Sequence, residues 1–280
     1  MDLSVGQALR SNRARKGTVR LLSGLFVAAC LGTTAAAADR CPQGGSEIAT
    51  DRPDVTNSSL VVPAGSLQVE NGINVTARDG ARTLDGTNTR LRLGLAPCLE
   101  LLVDVPTFFA AVRGQAESGF TNVTPAVKWQ LGPLPGDIDL SATAGVGLPT
   151  GTTRIAGLGA QPYLQFPWSR ELGGGWGISG MVTAFFRPAE PGSKLVTEPT
   201  FVIEKKVGDR AAVFAEYVGD YPSHAGASQL LNTGVLYRLT PTQQIDAHVA
   251  FGLNRNAPDY IFGIGYSFRF DGLFRTGTAR

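Results

Sequence analysis

From about Ser66 to Phe270 the chain repeats one rhythm. Segments of roughly ten residues alternate apolar with polar or small side chains, and turn residues separate them. Between Asp137 and Leu148, Ile138, Leu140, Ala142, Ala144, Val146 and Leu148 share one parity, and Asp139, Ser141, Thr143, Gly145 and Gly147 the other. Successive strand side chains face opposite sides of a sheet, so such a segment has one greasy and one wet face. A single segment of this kind fits any half-buried strand. About a dozen in succession are the pattern of a transmembrane β-barrel, apolar toward lipid and polar toward the lumen. A sheet in hydrocarbon cannot leave an edge unpaired, so the strands must close. The predicted fold is all-β: an antiparallel up-and-down transmembrane barrel of about 12 strands over residues 66–270.

Connection lengths add a second, independent argument. Tight turns are expected at Ala96–Cys98, Leu131–Gly136, Arg170–Gly174, Gly208–Asp209 and Thr240–Thr242. Longer loops are expected at Arg78–Gly86, Pro106–Gly119, Pro149–Leu158, Pro188–Leu195 and Asp220–Ser228, with a shorter one at Asn254–Pro258. Short and long alternate, as periplasmic turns and external loops do, and an even strand number brings both termini to the periplasmic end. Trp129, Trp168, Trp176, Tyr237, Phe268 and Phe270 stand near strand ends, where aromatics form interfacial girdles. Outward Lys205 and Arg210 belong close to the turn after the eighth strand.

The first 38 residues read as a leader. Arg10, Arg13, Arg15, Lys16 and Arg20 precede a short apolar core, Leu21–Leu31, and Ala36-Ala37-Ala38 supplies the small residues of a cleavage site. Val27-Ala28-Ala29-Cys30 offers a competing lipoprotein-type site at Cys30. Five of the 25 Lys+Arg and one of the 23 Asp+Glu lie in this leader, so its removal takes the formal charge from +2 to −2. The apparent basicity belongs to targeting, and no nucleic-acid footprint remains. The expected organisation is a leader (1–38), an N-terminal arm or partial plug (39–65), the barrel (66–270) and a tail (271–280). Expected partners are outer-membrane lipid, the barrel-insertion machinery and a small solute.

The inward parity is charged. Glu70, Arg90, Arg92, Glu100, Asp104, Lys128, Asp139, Arg187, Glu198, Glu204, Lys206, Glu216, Asp246, His248 and Arg269 are the candidate lumen-lining residues. Such a row either selects a solute or braces the wall by ion pairs; Arg92 with Glu100 would neutralise each other. The polar, proline-punctuated stretch Asp39–Gly65 either hangs in the periplasm or folds into the barrel mouth. In the second case Asp51, Arg52 and Asp54 could pair with lumen charges. Export permits a disulfide between Cys41 and Cys98, the two cysteines left after the leader, and two free thiols is the alternative. Two cysteines and two histidines make no recognisable metal site.

Enzyme chemistry is not expected. Histidine-based hydrolysis needs a nucleophile beside its base, and only His224 and His248 are available. Gly145–Gly151 lacks the Lys-Ser/Thr of a phosphate loop. No cofactor is expected.

Thr50-Asp51-Arg52-Pro53-Asp54-Val55-Thr56, Val62-Pro63-Ala64-Gly65 and Leu67-Gln68-Val69-Glu70-Asn71-Gly72 resemble the opening of one family. Leu91–Leu95, Leu148–Gly151, Phe214–Tyr217 and Gly263–Phe270 resemble it further along. It is the outer-membrane transporter family named for the meta-pathway of phenol degradation. The resemblance implies an outer-membrane barrel with a transport role, and it brings no catalytic or binding residues. The tail after Phe270 departs from the usual barrel ending on an aromatic residue. The expected function is passive passage of a small, aromatic or otherwise hydrophobic solute; the alternative is a non-conducting barrel serving envelope structure or surface interaction.

Overall fold

The computed structural model describes residues 41, 45–114, 116–189 and 194–274. The leader, with Cys30 and the Ala36–Ala38 site, lies outside the described residues, as does the tail from residue 275.

The strands are β1 (Leu67–Arg78), β2 (Ala81–Ala96), β3 (Leu99–Asp104), β4 (Phe108–Arg113), β5 (Gly119–Phe120), β6 (Thr124–Leu134), β7 (Ile138–Gly147), β8 (Gln161–Gly173), β9 (Trp176–Phe186), β10 (Leu195–Val207), β11 (Ala211–Pro222), β12 (Ser228–Thr240), β13 (Gln243–Gly252) and β14 (Tyr260–Phe270). One helical turn, α1 (Thr153–Ala156), sits in the β7–β8 loop. Every pairing is antiparallel, and β1 pairs with both β2 and β14, which closes the sheet. β3 and β4 are two halves of one wall strand: β2 pairs Arg90 with Asp104 and, further along, Gly86 with Phe108. β5 and β6 likewise form one interrupted strand against β4 and β3. Merging each pair turns 14 strands into a closed 12-strand barrel.

The alternation sorts the side chains as hydrocarbon and lumen demand. Along β14, Phe262, Ile264 and Phe270 are exposed on the outer face, whereas Gly263, Ser267 and Arg269 are buried inside. The fully buried side chains include Arg92, Lys128, Gln68, Glu70, Glu100 and Glu216, while some forty large apolar groups remain exposed. This inversion of the soluble pattern is what a lipid-facing wall around a polar interior requires. Lys205 reaches the turn end, its ammonium 4.9 Å from the Trp176 ring centroid.

Two loops differ from expectation. Between β1 and β2 only Asp79 and Gly80 intervene, not Arg78–Gly86. Both have positive φ (50° and 79°), the backbone of a two-residue primed hairpin, for which Asp-Gly is a preferred pair. Pro106–Gly119 is not one loop either, since β4 occupies six of its residues. The other long connections, at residues 148–160, 223–227 and 253–259, fall at the same end of the barrel, as do Phe186 and Leu195, which pair with each other. The other tight turns and both ends of the barrel chain lie at the opposite end, where Leu67 pairs with Phe270.

Candidate functional site

Residues 45–62 run through the lumen as irregular chain. Such a segment brings unpaired backbone N–H groups into a space short of water, and each needs an acceptor. Three wall glutamates supply them. Glu70 accepts the Asp51 amide at 2.9 and 3.1 Å. Glu216 accepts the Val55 amide at 2.9 Å and the Thr56 amide and hydroxyl at 2.8 Å each. Glu100 accepts the Val62 amide at 2.6 Å. All three glutamates are fully buried.

Side chains complete the attachment. The Asp51 carboxylate receives Arg90 and Arg92, each at 3.1 Å, and Lys128 at 3.3 Å. Arg92, buried to zero exposure, also pairs with Glu70 at 3.2 Å and Glu100 at 3.0 Å and donates to the Ala49 and Leu60 carbonyls. Arg52 pairs with Asp246 at 3.3 Å. Its guanidinium lies against Gly72 and Gly265, where any added Cβ would collide with it. Asn57 bridges Arg90 at 2.9 Å and Gln165 at 3.0 Å, and Ser59 meets Ser169 at 2.7 Å. Near the turn end, Arg269 donates to the Ser46 and Glu47 carbonyls, and Cys41 is disulfide-bonded to Cys98 in the β2–β3 turn, with Cα atoms 5.7 Å apart.

Two aspartates three residues apart meet opposite environments. Burial alone would raise the Asp51 carboxyl, but Arg92, Lys128 and Arg90 together with the Ser58 amide hold it below the ordinary carboxylate range. Asp54 is pushed well above that range, by burial first and then by Glu216, Glu204 and Asp51, which face it with like charge.

The segment divides the interior. On the loop side is a cavity of about 630 Å³ bordered by Arg90, Asp104, Tyr163, Phe185 and His248. On the turn side is one of about 420 Å³ bordered by Glu204, Lys206, Arg238 and Arg269. Arg52, Asp54 and Asn57 border both. The septum is therefore one layer of chain thick at this level.

Of the residues proposed from parity, Glu70, Arg90, Arg92, Glu100, Asp104 and Lys128 converge on Asp51; Arg90 pairs with Asp104 at 2.6 Å. Glu216 and Asp246 hold other parts of the segment. His248 contacts Asn232 on the adjacent strand at 3.1 Å and, over Gly263 of β14, Asn74 at 3.4 Å; His224 lies exposed in a loop. Glu198 hydrogen-bonds Asp220 on the neighbouring strand, away from the Asp51 group. Asp139 sits near the β6–β7 turn, opposite Pro133, and does not join that group. The charged candidates omit neutral residues that complete the site: Asn74, Gln130 and Gln165, inward by parity, and Asn232. Inward parity marked their positions, but an amide in a strand carries no signal of its partner. The inner aromatic pair Tyr163–Phe185, with ring centroids 5.9 Å apart, also requires the fold to bring β8 and β9 together.

Comparison with known proteins agrees with this architecture. A family model described as "Putative MetA-pathway of phenol degradation" matches residues 50–270. Among curated proteins none matches the sequence. The fold is similar to that of the COG4313 outer membrane channel from Pseudomonas putida F1 (TM-score 0.55, 15% identity, covering 75% of this chain and 97% of that one). It is also similar to the NanC porin (0.54, 9%, 72% and 98%). A third similar structure is the KdgM porin in complex with disordered oligogalacturonate (0.51, 9%, 73% and 99%).

Proposed function

This chain belongs to the family described as "Putative MetA-pathway of phenol degradation", and from that membership and its divided lumen we propose that it is a passive outer-membrane channel for a small solute. The family name favours an aromatic or otherwise hydrophobic compound. One observation carries the reading: a single layer of chain separates cavities of about 630 and 420 Å³. Moving that layer would join them into a continuous path, with no energy source or cofactor. The wall ion pairs brace the barrel, and the segment 45–62 is the barrier. In this reading residues 1–38 are a cleaved export leader, and the insertion machinery places the barrel among outer-membrane lipids. The barrel fold points away from an enzyme.

The depth of attachment around Asp51 favours one competitor, a permanently closed barrel with a structural role. Planar-bilayer recording separates the two. Wild-type protein should give brief, small current steps, and a variant lacking residues 45–62 should give long-lived, larger ones. A correctly inserted deletion variant that stays silent would exclude the channel.

A further inference from the structure

The charge that docks the segment is a carboxylate, and its receptor belongs to the wall. Arg90 and Arg92 project from β2 and Lys128 from β6, and their cationic groups converge on Asp51 within 3.3 Å. The wall itself is balanced: Asp104, Glu70 and Glu100 pair with these same three cations from other sides. Asp51 is thus one further carboxylate, delivered by the segment into a site built to take it. Departure of the segment would leave three converging donors one acceptor short, a position that another carboxylate can fill with charge-assisted hydrogen bonds.

The surroundings specify what that carboxylate would be attached to. The loop-side cavity reaches Asp51 and Arg90 and is bordered by Tyr163, Phe185, Ile155 and Ile261. Tyr163 is buried and borders the same cavity as Arg90, Asp104 and Asp51, with Phe185 packed against it at a 43° tilt. A flat apolar body whose acid group reaches the cations would lie against these rings. Building on the channel reading above, we propose that Asp51 is a tethered stand-in for the solute, and that Arg90, Arg92 and Lys128 form the recognition site for a small aromatic monocarboxylate. Solute and segment then compete for the same donors, so the arriving carboxylate helps to displace the barrier.

Sodium benzoate and its neutral isostere benzamide test this on the full-length protein in planar bilayers. Benzoate should raise the open fraction of the wild type in a saturable way, and benzamide should not. In Asp51→Asn the open fraction should be high without any ligand. In Arg90→Gln, which takes one donor from solute and segment alike, the open fraction without ligand should rise and the gain produced by saturating benzoate should shrink. Arg90 is the least buried of the three cations, its side chain 22% exposed, so this variant keeps the test decisive if Asp51→Asn does not insert. Equal responses to benzoate and benzamide, or a benzoate response unchanged in Arg90→Gln, would overturn the carboxylate site while leaving a channel. Silence of every inserted variant under all solutes would overturn the channel itself.

Discussion

Asp51 and Asp54 show how one residue type is assigned two tasks by its surroundings. Asp51 sits among three cations, and Asp54 among carboxylates. For Asp51 the docked pKa is depressed. Its contribution to docking is fully present above the ordinary aspartate value of about 3.9 and is lost only as pH falls through the lower docked value. For Asp54 the docked pKa is raised. The docked segment binds a proton that the free segment would not, so docking weakens as pH rises from about 3.9 through that raised value. Acidification from about pH 7 to about pH 5 should therefore lower the open fraction in planar-bilayer recordings, and Asp54→Asn should flatten that dependence. An open fraction that rises on acidification in the wild type would contradict this assignment. From sequence, Asp51, Arg52 and Asp54 were alike as charges able to meet a charged lumen. Only the path of the segment decided that the first two find opposite charges and the third faces its own sign.

At the scale of elements, the strands were legible wherever hydrocarbon imposed alternation. They were illegible where the wall rises beyond it. Residues Arg82–Asn88 contain one large apolar side chain, Leu84, and read as a loop. They form the upper part of β2, a strand of 16 residues. Above the membrane a strand needs no greasy outer face, so its pattern disappears while its hydrogen bonds remain. The sequence Phe108-Phe109-Ala110-Ala111-Val112-Arg113 failed for the opposite reason, being apolar on both parities. The local cue for the first hairpin was Asp79-Gly80 itself. Gly80→Ala forces a Cβ onto a backbone at φ 79° and should cost about 1 kcal/mol. Urea titration of the folded protein in detergent micelles would register it as a lower midpoint. An unchanged midpoint would mean that the turn relaxes away from the primed geometry.

For the whole molecule, the two faces of the barrel obey opposite rules. Ile264 is exposed at mid-strand on β14, opposite Ile73 on β1 and Ala247 on β13. Ile264→Arg puts a charge on the lipid side at the seam that closes the barrel, and it should destabilise the protein by about 2–4 kcal/mol. The heat-modifiable gel shift after refolding into vesicles measures this as a smaller folded fraction; an unaltered fraction would argue against burial of that face in lipid. By itself the sequence determined a closed barrel with a charged interior, because lipid outside and polar lumen inside act on every second residue and leave a periodic record. It left open the course of residues 39–65, the pairing of Cys41 with Cys98 and the partners of each inward charge. Those contacts join residues far apart along the chain, such as Thr56 with Glu216 and Arg52 with Asp246. No local period records them, and only the closed tertiary structure brings them within bonding distance.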